Sequence, residues 1–257
     1  MEQLLKIAFF DSGIGGITVL KNAVELMPDE DYIYFADTQN VPYGTKPKED
    51  VKRFVMQAAD FLASKGIKAL VVACNTATSV VIHDLREKFD FPIIGMEPAV
   101  KPAIVNNGGK KILVTATSLT LRESKLESLI ETLEGNERIE KLPLDPLVKF
   151  AESFDFGSRE VREFLIDAFS RFNPDEFESL VLGCTHFIFY KPVLKEILPA
   201  SIKIIDGNEG TIRHLMATLN SRGLLRKGKG DIEFYSSCVE EGEERKALLK
   251  GLLKLEY

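Results

Sequence analysis

Two cysteines, Cys74 and Cys184, stand in sequence settings so similar that they could work as a pair. Each follows an apolar run, in VVACNTAT over 71–78 and in VLGCTHF over 181–187, and polar residues come directly after each of them. This order predicts a thiol at the carboxyl end of a strand, beside the start of a helix. The positive end of such a helix lowers a thiol pKa, so we expect two groups that accept and donate protons near neutral pH.

The cysteine count argues against a disulfide framework. The chain has three cysteines in 257 residues, and an odd count in a large chain is typical of a reducing cytosol. The third, Cys238 in EFYSSCVEEG, is not followed directly by a polar residue as the other two are. We interpret it as a small buried hydrophobic residue.

Other polar or turn-forming residues follow predicted strands and could bind the carboxylates and the ammonium group of a small substrate. Apart from the two thiols, the candidates are Asp11, Ser12, Pro42, Tyr43, Gly44, Asn75, Thr76, Thr117, Thr120, Thr185 and His186. Helix capping is the alternative role for Asn75 and Thr185, and also for Thr117 and Thr120.

The segment DSGIGG over 11–16 follows a strand and precedes a helix, as a phosphate-binding loop would. It lacks the glycine register of a dinucleotide site and the lysine of a P-loop, so a nucleotide site is a weak interpretation. Asp11 suits an ammonium group or a nearby base, and it suits a helix cap equally well.

The segment DTQNVPYG over 37–44 predicts a rigid loop. Pro42 fixes its own φ and Gly44 permits an unusual turn, so the loop could present backbone N–H groups and the Tyr43 hydroxyl. A plain turn is the alternative.

Strand and helix patterns alternate along the chain, which predicts an α/β fold with mostly parallel sheets flanked by helices. The predicted strands cover 6–10, 31–37, 69–74, 92–96, 111–116, 138–142, 179–184, 202–207 and 232–237. The predicted helices cover about 16–27, 48–65, 78–89, 120–133, 158–172 and 209–221.

The pattern starts again at Lys110. Cys74 comes 63 residues after Asp11, and Cys184 comes 67 residues after Thr117, the first polar residue after the corresponding strand. This repeat predicts two similar lobes related by a pseudo-twofold axis, with the thiols facing each other across a cleft. We place the first lobe at 1–96 plus 207–257 and the second at 97–206.

Composition excludes several classes of protein. A net charge of -6 and a pI near 5.3 argue against a nucleic-acid partner, since no basic stripe could neutralise phosphates. We interpret the basic run over 226–230 as a solvated loop. No apolar stretch reaches the roughly 20 residues of a membrane span, and the first ten residues do not form a signal peptide. We expect a cytoplasmic protein.

Four segments, DSGIGG, ADTQNVPYG, VVACNTAT and GCTHF, resemble in order and spacing the signature segments of glutamate racemases, within the aspartate/glutamate racemase family. The resemblance implies interconversion of L- and D-glutamate without metal or other cofactor, which supplies D-glutamate for peptidoglycan. It implies that Cys74 and Cys184 are the two bases, with Asp11 assisting the first and His186 the second. The other candidate residues would contact the substrate, and the protein could be a homodimer.

Two positions decide how closely the resemblance holds. Aspartate racemases of this family carry an acid where this chain has His186, which favours glutamate as the substrate. Family members place a glutamate directly after a Pro-Leu-Val segment, whereas 146–148 is followed by Lys149. Glu152, three residues further on, could act as the acidic partner of the second catalytic cysteine. Otherwise no residue has that role.

Four alternatives stay open from the sequence. The chain could racemise aspartate or a related amino acid, or bind an amino acid between its lobes without catalysis. Cys74, Cys184 and His186 could instead be three zinc ligands. A cysteine hydrolase using Cys184 and His186 would leave Cys74 unexplained.

Overall fold

The computed structural model describes residues 5–96, 99–105, 109–123, 127–128, 131, 137–237 and 239–257. The strands are β1 (Lys6–Asp11), β2 (Tyr32–Ala36), β3 (Ile67–Val72), β4 (Ile93–Gly95), β5 (Lys111–Ala116), β6 (Ile139–Pro143), β7 (Phe177–Leu182), β8 (Lys203–Asp206), β9 (Ile232–Ser236) and β10 (Val239–Glu240). The helices are α1 (Ile17–Leu26), α2 (Lys48–Ser64), α3 (Asn75–Lys88), α4 (Val100–Val105), α5 (Ser118–Arg122), α6 (Pro146–Glu152), α7 (Arg159–Phe169), α8 (Lys191–Ile197), α9 (Asn208–Ser221) and α10 (Glu243–Leu252).

The strands form two sheets, which confirms the predicted α/β class. One sheet has the order β10–β9–β2–β1–β3–β4 and the other has the order β6–β5–β7–β8. All neighbouring strands are parallel except β10, which is antiparallel to β9. The central strands β1 and β3 are almost wholly buried, as expected where helices cover both faces of a parallel sheet.

The two sheets repeat one topology. The order β2–β1–β3–β4 corresponds strand for strand to β6–β5–β7–β8. Even a local irregularity is repeated, because the β1–β3 register shifts between Lys6 and Ile7 and the β5–β7 register shifts between Lys111 and Ile112. The internal repeat therefore extends to the residue level in the central strand pairs. The proposed boundaries, 1–96 plus 207–257 and 97–206, would place one sheet in each lobe.

Alternation along the strands divides the first lobe into two apolar layers. Phe10 and Val72 point into a layer with α2 and α3, whereas Phe9 and Val71 point to the opposite face. That second layer is continuous with apolar residues of the second lobe, such as Leu182. The lobes thus share part of one hydrophobic core, which fixes how their strand edges meet.

Most predicted elements are present, and the differences are local. Helix α3 begins at Asn75 instead of near residue 78. Gly66 follows the end of α2 with a φ of 71°, a conformation that glycine adopts readily. Helices α4, α6, α8 and α10 were not predicted, since three of them are too short to show a helical period. Cys238 and half of the predicted helix over 120–133, namely 124–126, 129–130 and 132–133, lie outside the described residues.

A buried ion pair attaches the returning chain segment to the first sheet. Lys68 and Glu30 are both buried and form a salt bridge. Lys68 also donates to the carbonyl of Leu224 at 2.9 Å, and the Arg226 amide donates to Glu30 at 2.9 Å. The basic run at 226–230 is a loop, as expected, and this pair anchors its start.

Replacing Lys68 by Met should lower the free energy of unfolding by about 3 to 5 kcal/mol, because Glu30 would keep a buried charge without a counterion. Urea unfolding followed by circular dichroism measures the change. The matched control is Arg159→Met, which removes the exposed pair with Glu163 and should leave the unfolding midpoint nearly unchanged. Equal effects of the two variants would contradict the prediction.

Candidate active site

Cys74 and Cys184 occupy equivalent places in the two sheets. Each lies two residues beyond its central strand, since β3 ends at Val72 and β7 ends at Leu182. Both side chains are buried, and the charge of Cys184 contributes to the raised pKa of Cys74. The two thiols are therefore close enough to influence each other, at the carboxyl edges where ligands bind in α/β sheets.

Cys74 is the N-cap residue of α3, but its pKa is not lowered. Its sulfur accepts a hydrogen bond from the Ala77 amide at 3.4 Å, and its thiol donates to the Ser12 hydroxyl at 3.7 Å. Burial raises the pKa of Cys74 to about 12, and the nearby Asp11 charge adds to this effect. The prediction of a lowered pKa at this position is wrong, because desolvation outweighs the helix terminus.

Cys184 has a different environment. A 3₁₀ turn, Thr185–Tyr190, follows it where the sequence predicted a helix start, and no side-chain cap is formed. Its sulfur lies 3.9 Å from His186 Nδ1, and His186 Nε2 lies 2.7 Å from Glu152 Oε1. The Glu152 oxygen also accepts from the Ile14 amide at 2.7 Å. The Cys184 thiol, the His186 imidazole and the Glu152 carboxylate are thus in contact one after another. The hydrogen bond from the Ile14 amide connects this series to the first lobe.

His186 is buried, yet its charged form is favoured. Burial opposes the imidazolium, but the hydrogen bonds and negative charges of Cys184 and Glu152 outweigh burial and raise the pKa of His186 well above 6.5. A protonated His186 therefore places a positive charge beside the Cys184 sulfur.

Asp11 joins the two lobes. Its Oδ1 accepts from the Gly13 amide and its Oδ2 accepts from the Thr185 hydroxyl, both at 3.0 Å. It does not cap α1, whose N-cap residue is Gly16. Burial raises the pKa of Asp11 to about 6, although the charge of His186 opposes the shift. One of its hydrogen bonds therefore reaches Thr185, next to Cys184, whereas the resemblance implied that Asp11 assists Cys74.

The glycines of DSGIGG permit close packing between the lobes. A Cβ on Gly13 would lie 1.8 Å from Glu152 Oε1, and a Cβ on Gly15 would lie 2.4 Å from Thr185 Oγ1. Both distances are far below van der Waals contact. These glycines leave space for Glu152 and Thr185 of the second lobe. Neither glycine has a positive φ.

The loop after β2 differs from its prediction in two respects. The Tyr43 hydroxyl donates to Asp37 Oδ2 at 2.6 Å, so it is already paired inside the protein. Gly44 lies in a 3₁₀ turn and has no positive φ. A Cβ there would lie 2.4 Å from Thr117 Cβ, so Gly44 is needed for close approach to the second lobe. Pro42 precedes this turn with an extended backbone.

Three threonine hydroxyls meet between the lobes. Thr76 Oγ1 lies 2.9 Å from Thr117 Oγ1 and 3.0 Å from Thr120 Oγ1, and the last two are 2.9 Å apart. All three side chains are buried. Thr117 also caps α5, which is one of the two roles that its sequence position suggested. Such a cluster can turn its hydroxyl hydrogens toward a carboxylate.

Asn75 carries a buried acceptor that no group in the described part of the chain satisfies. Its Oδ1 is buried and has no hydrogen-bond partner there. Leaving a buried carbonyl unpaired costs about 1 to 3 kcal/mol, which a donor such as an ammonium group would relieve. Asn75 does not cap α3, since Cys74 holds that position.

The described residues place limits on two other kinds of site. Among them, no group of three or more His, Cys, Asp or Glu side chains is arranged to hold a metal ion. None of the helices in the described ranges is both long and apolar enough to span a bilayer.

The sequence analysis left one acidic partner undecided and missed another. Glu152, one helical turn after the Pro-Leu-Val segment, is the carboxylate that contacts His186. Asp37, which also accepts from Asn40 and Ser237, holds the Tyr43 loop and was not singled out. The position of Asp37 directly after β2 could have indicated this role, because a buried carboxylate there needs several hydrogen-bond donors.

Comparison with known proteins identifies the family of this chain. The profile of the family described as Asp/Glu/Hydantoin racemase matches residues 17–215. The glutamate racemase of Halothermothrix orenii is 50% identical over 253 residues, which are 98% of this chain and 100% of that protein. Glutamate racemase 2 of Bacillus subtilis is 49% identical over 235 residues, which are 91% of this chain and 89% of that protein.

Solved structures show the same fold over almost the whole chain. The Francisella tularensis glutamate racemase in complex with D-glutamate has a TM-score of 0.83 at 27% identity, covering 98% of this chain and 95% of that one. The Campylobacter jejuni glutamate racemase has a TM-score of 0.82 at 28% identity, covering 98% and 100%. The profile match and the identity over nearly the full length show that this chain belongs to the Asp/Glu/Hydantoin racemase family.

Proposed function

We propose that this protein interconverts L- and D-glutamate by exchanging the Cα proton between Cys74 and Cys184, without a cofactor, and so supplies D-glutamate for peptidoglycan. The observation that carries the proposal is the equivalent position of two buried thiols beyond the central strands of two repeated sheets. Two relatives named glutamate racemase support glutamate as the substrate. They are 50% and 49% identical to this chain over nearly its full length.

Two bases are what this reaction needs. Inversion at Cα requires a group that removes the proton from one face and a second group that delivers a proton to the other. One thiol on each lobe provides this arrangement when the substrate lies between the lobes. Burial of both thiols keeps water away from the carbanion that forms at Cα.

The two thiols are proposed to be supported by different groups. Burial keeps the proton on Cys74, whose pKa is raised to about 12, while the imidazolium of His186 lies beside the Cys184 sulfur. In this state Cys184 is the base and Cys74 the acid. The opposite enantiomer needs the reverse state, and the ammonium group of a bound substrate would make a thiolate on Cys74 less costly.

Substrate binding is proposed to use the unsatisfied and hydroxyl groups around the thiols. Asn75 Oδ1 suits the ammonium group, because it is a buried acceptor without a partner among the described residues. The hydroxyls of Ser12 and Thr185 and the cluster of Thr76, Thr117 and Thr120 suit the carboxylates. Pro42, Tyr43 and Gly44 would act through the backbone of their turn, since the Tyr43 hydroxyl is bound to Asp37.

Glu152 is proposed as a positioning residue for the Cys184 side. Its carboxylate fixes the His186 ring and favours the charged imidazolium. Asp11 holds Thr185, next to Cys184, and its charge also raises the Cys74 pKa. We propose that Asp11 influences both thiols. The homodimer and the cytoplasmic location expected from the sequence stay predictions.

Cys74→Ser and Cys184→Ser should each lower the rate of glutamate racemisation by about 10²- to 10⁴-fold, because serine is a poor base. In D₂O, each variant should exchange the Cα hydrogen of one enantiomer only, and the two variants should act on opposite enantiomers. Circular dichroism follows inversion and proton NMR follows exchange. Cys238→Ser is the control and should retain turnover. Inversion that survives in both variants would overturn the two-thiol assignment, and turnover of aspartate without glutamate would overturn the substrate.

Alkylation should show that Cys74 keeps its proton. In Cys184→Ser, the rate of Cys74 carbamidomethylation by iodoacetamide should rise about tenfold per pH unit from pH 7 to 10, since only the thiolate reacts and its pKa is raised to about 12. Peptide mass spectrometry measures the rate at each pH. The urea-unfolded protein is the control, in which the same thiol should level off above about pH 8.5. A plateau below pH 10 in the folded protein would contradict the prediction.

Glu152→Gln should lower kcat for glutamate by about 10- to 100-fold, because it keeps a hydrogen-bonding group but removes the charge that favours protonated His186. Since Glu152 supports one thiol, the isotope effects of α-deuterated L- and D-glutamate should change in opposite directions. Lys149→Gln, an exposed position on the same helix, is the matched control and should retain normal turnover. Equal isotope effects for both enantiomers would show that Glu152 has only a structural role.

A further inference from the structure

A cavity separate from the candidate active site lies in the second lobe, at the end of β7 opposite to Cys184. Its volume is about 270 Å³. Phe177 and Leu180 of β7 form part of its wall, and Phe169 of α7 and Ile197 of α8 close other sides. The cavity is thus separated from the thiols by the length of a strand, and no residue of the candidate active site lines it.

The lining of this cavity is apolar and rich in aromatic rings. Phe172 and Phe177 meet edge to face with their centroids 5.7 Å apart, and Phe169 adds a third ring. Ile166 is 55% exposed on α7, which is unusual for a large apolar side chain beside a cavity. None of the described residues that line the cavity carries a charge. A charged ligand would therefore lose its hydration without a counterion.

The size of the cavity selects the kind of occupant. An apolar cavity of about 150 Å³ in another protein binds benzene, so a volume of 270 Å³ has room for two fused rings. Flat rings also match the phenylalanine walls, because aromatic pairs gain from edge-to-face and offset contacts.

We propose that this cavity is a binding site for a neutral, apolar small molecule of one or two aromatic rings. The ligand differs from the amino-acid substrate in both charge and polarity. The site depends only on the second lobe and is independent of the proposed reaction. Its contacts would be made with the side chains of α7, the start of β7 and the end of α8.

Indole is the probe for this proposal, because it is neutral and has two fused rings. Titration of indole into the full chain, followed by calorimetry, should give saturable binding with one site and a Kd on the order of 0.1 to 1 mM. Methyl NMR should show shifts at Leu180 and Ile202, both of which line the cavity. Absence of saturable binding up to 10 mM indole would overturn the proposal.

Two variants locate the binding. Ile166→Asp places a charge at the exposed rim, and Ile202→Phe fills space inside, so each should weaken indole binding at least fivefold. Leu248→Asp makes a similar change at an exposed position on α10, away from the cavity, and should alter the Kd less than twofold. Glutamate turnover checks that every variant is folded. Binding that both cavity variants retain would show that indole binds elsewhere, and the proposal would be wrong.

Discussion

The contact between Glu152 and the first lobe is the interaction on which the site depends. One carboxylate oxygen accepts from the His186 ring and from the Ile14 amide, both at 2.7 Å. It can do so only because Gly13 has no side chain, since a Cβ there would overlap the carboxylate. The contact fixes the ring beside Cys184 and joins the β1–α1 turn to the second lobe. A half-buried carboxylate with charged and backbone donors is a strong constraint on how the lobes meet.

The repeated fold makes the two thiols equivalent in position, whereas the contacts between the lobes make them different in chemistry. Cys74 lies at a helix start among buried groups and beside the Asp11 charge, so its proton is held tightly. Cys184 precedes a 3₁₀ turn whose histidine is charged. A racemase must handle both enantiomers, and unequal thiols do so when the substrate's own charges shift the balance between them. Asymmetry between the two thiols is therefore compatible with a reversible reaction.

Much of the site could be predicted because its residues follow strands in short, ordered segments. The periodic pattern located the strands, and polar residues after them had to lie at one sheet edge. Side-chain partners could not be predicted in this way. Tyr43 binds Asp37, only six residues away, yet nothing in the segment distinguishes a paired hydroxyl from a free one. Gly44 was expected to serve a special turn and instead makes room for Thr117, which is 73 positions further along the chain.

The sequence by itself determined the α/β class, the internal repeat, the two thiols and the polar residues around them, because these depend on local pattern and on order along the chain. Tertiary structure decided which acid supports which thiol. Asp11 binds Thr185 across the lobes, and Glu152 binds His186 within the second lobe while accepting from the Ile14 amide of the first. It also decided the sign of the Cys74 pKa shift, since burial depends on everything packed around the sulfur, whereas the helix start that would lower the pKa is a local feature.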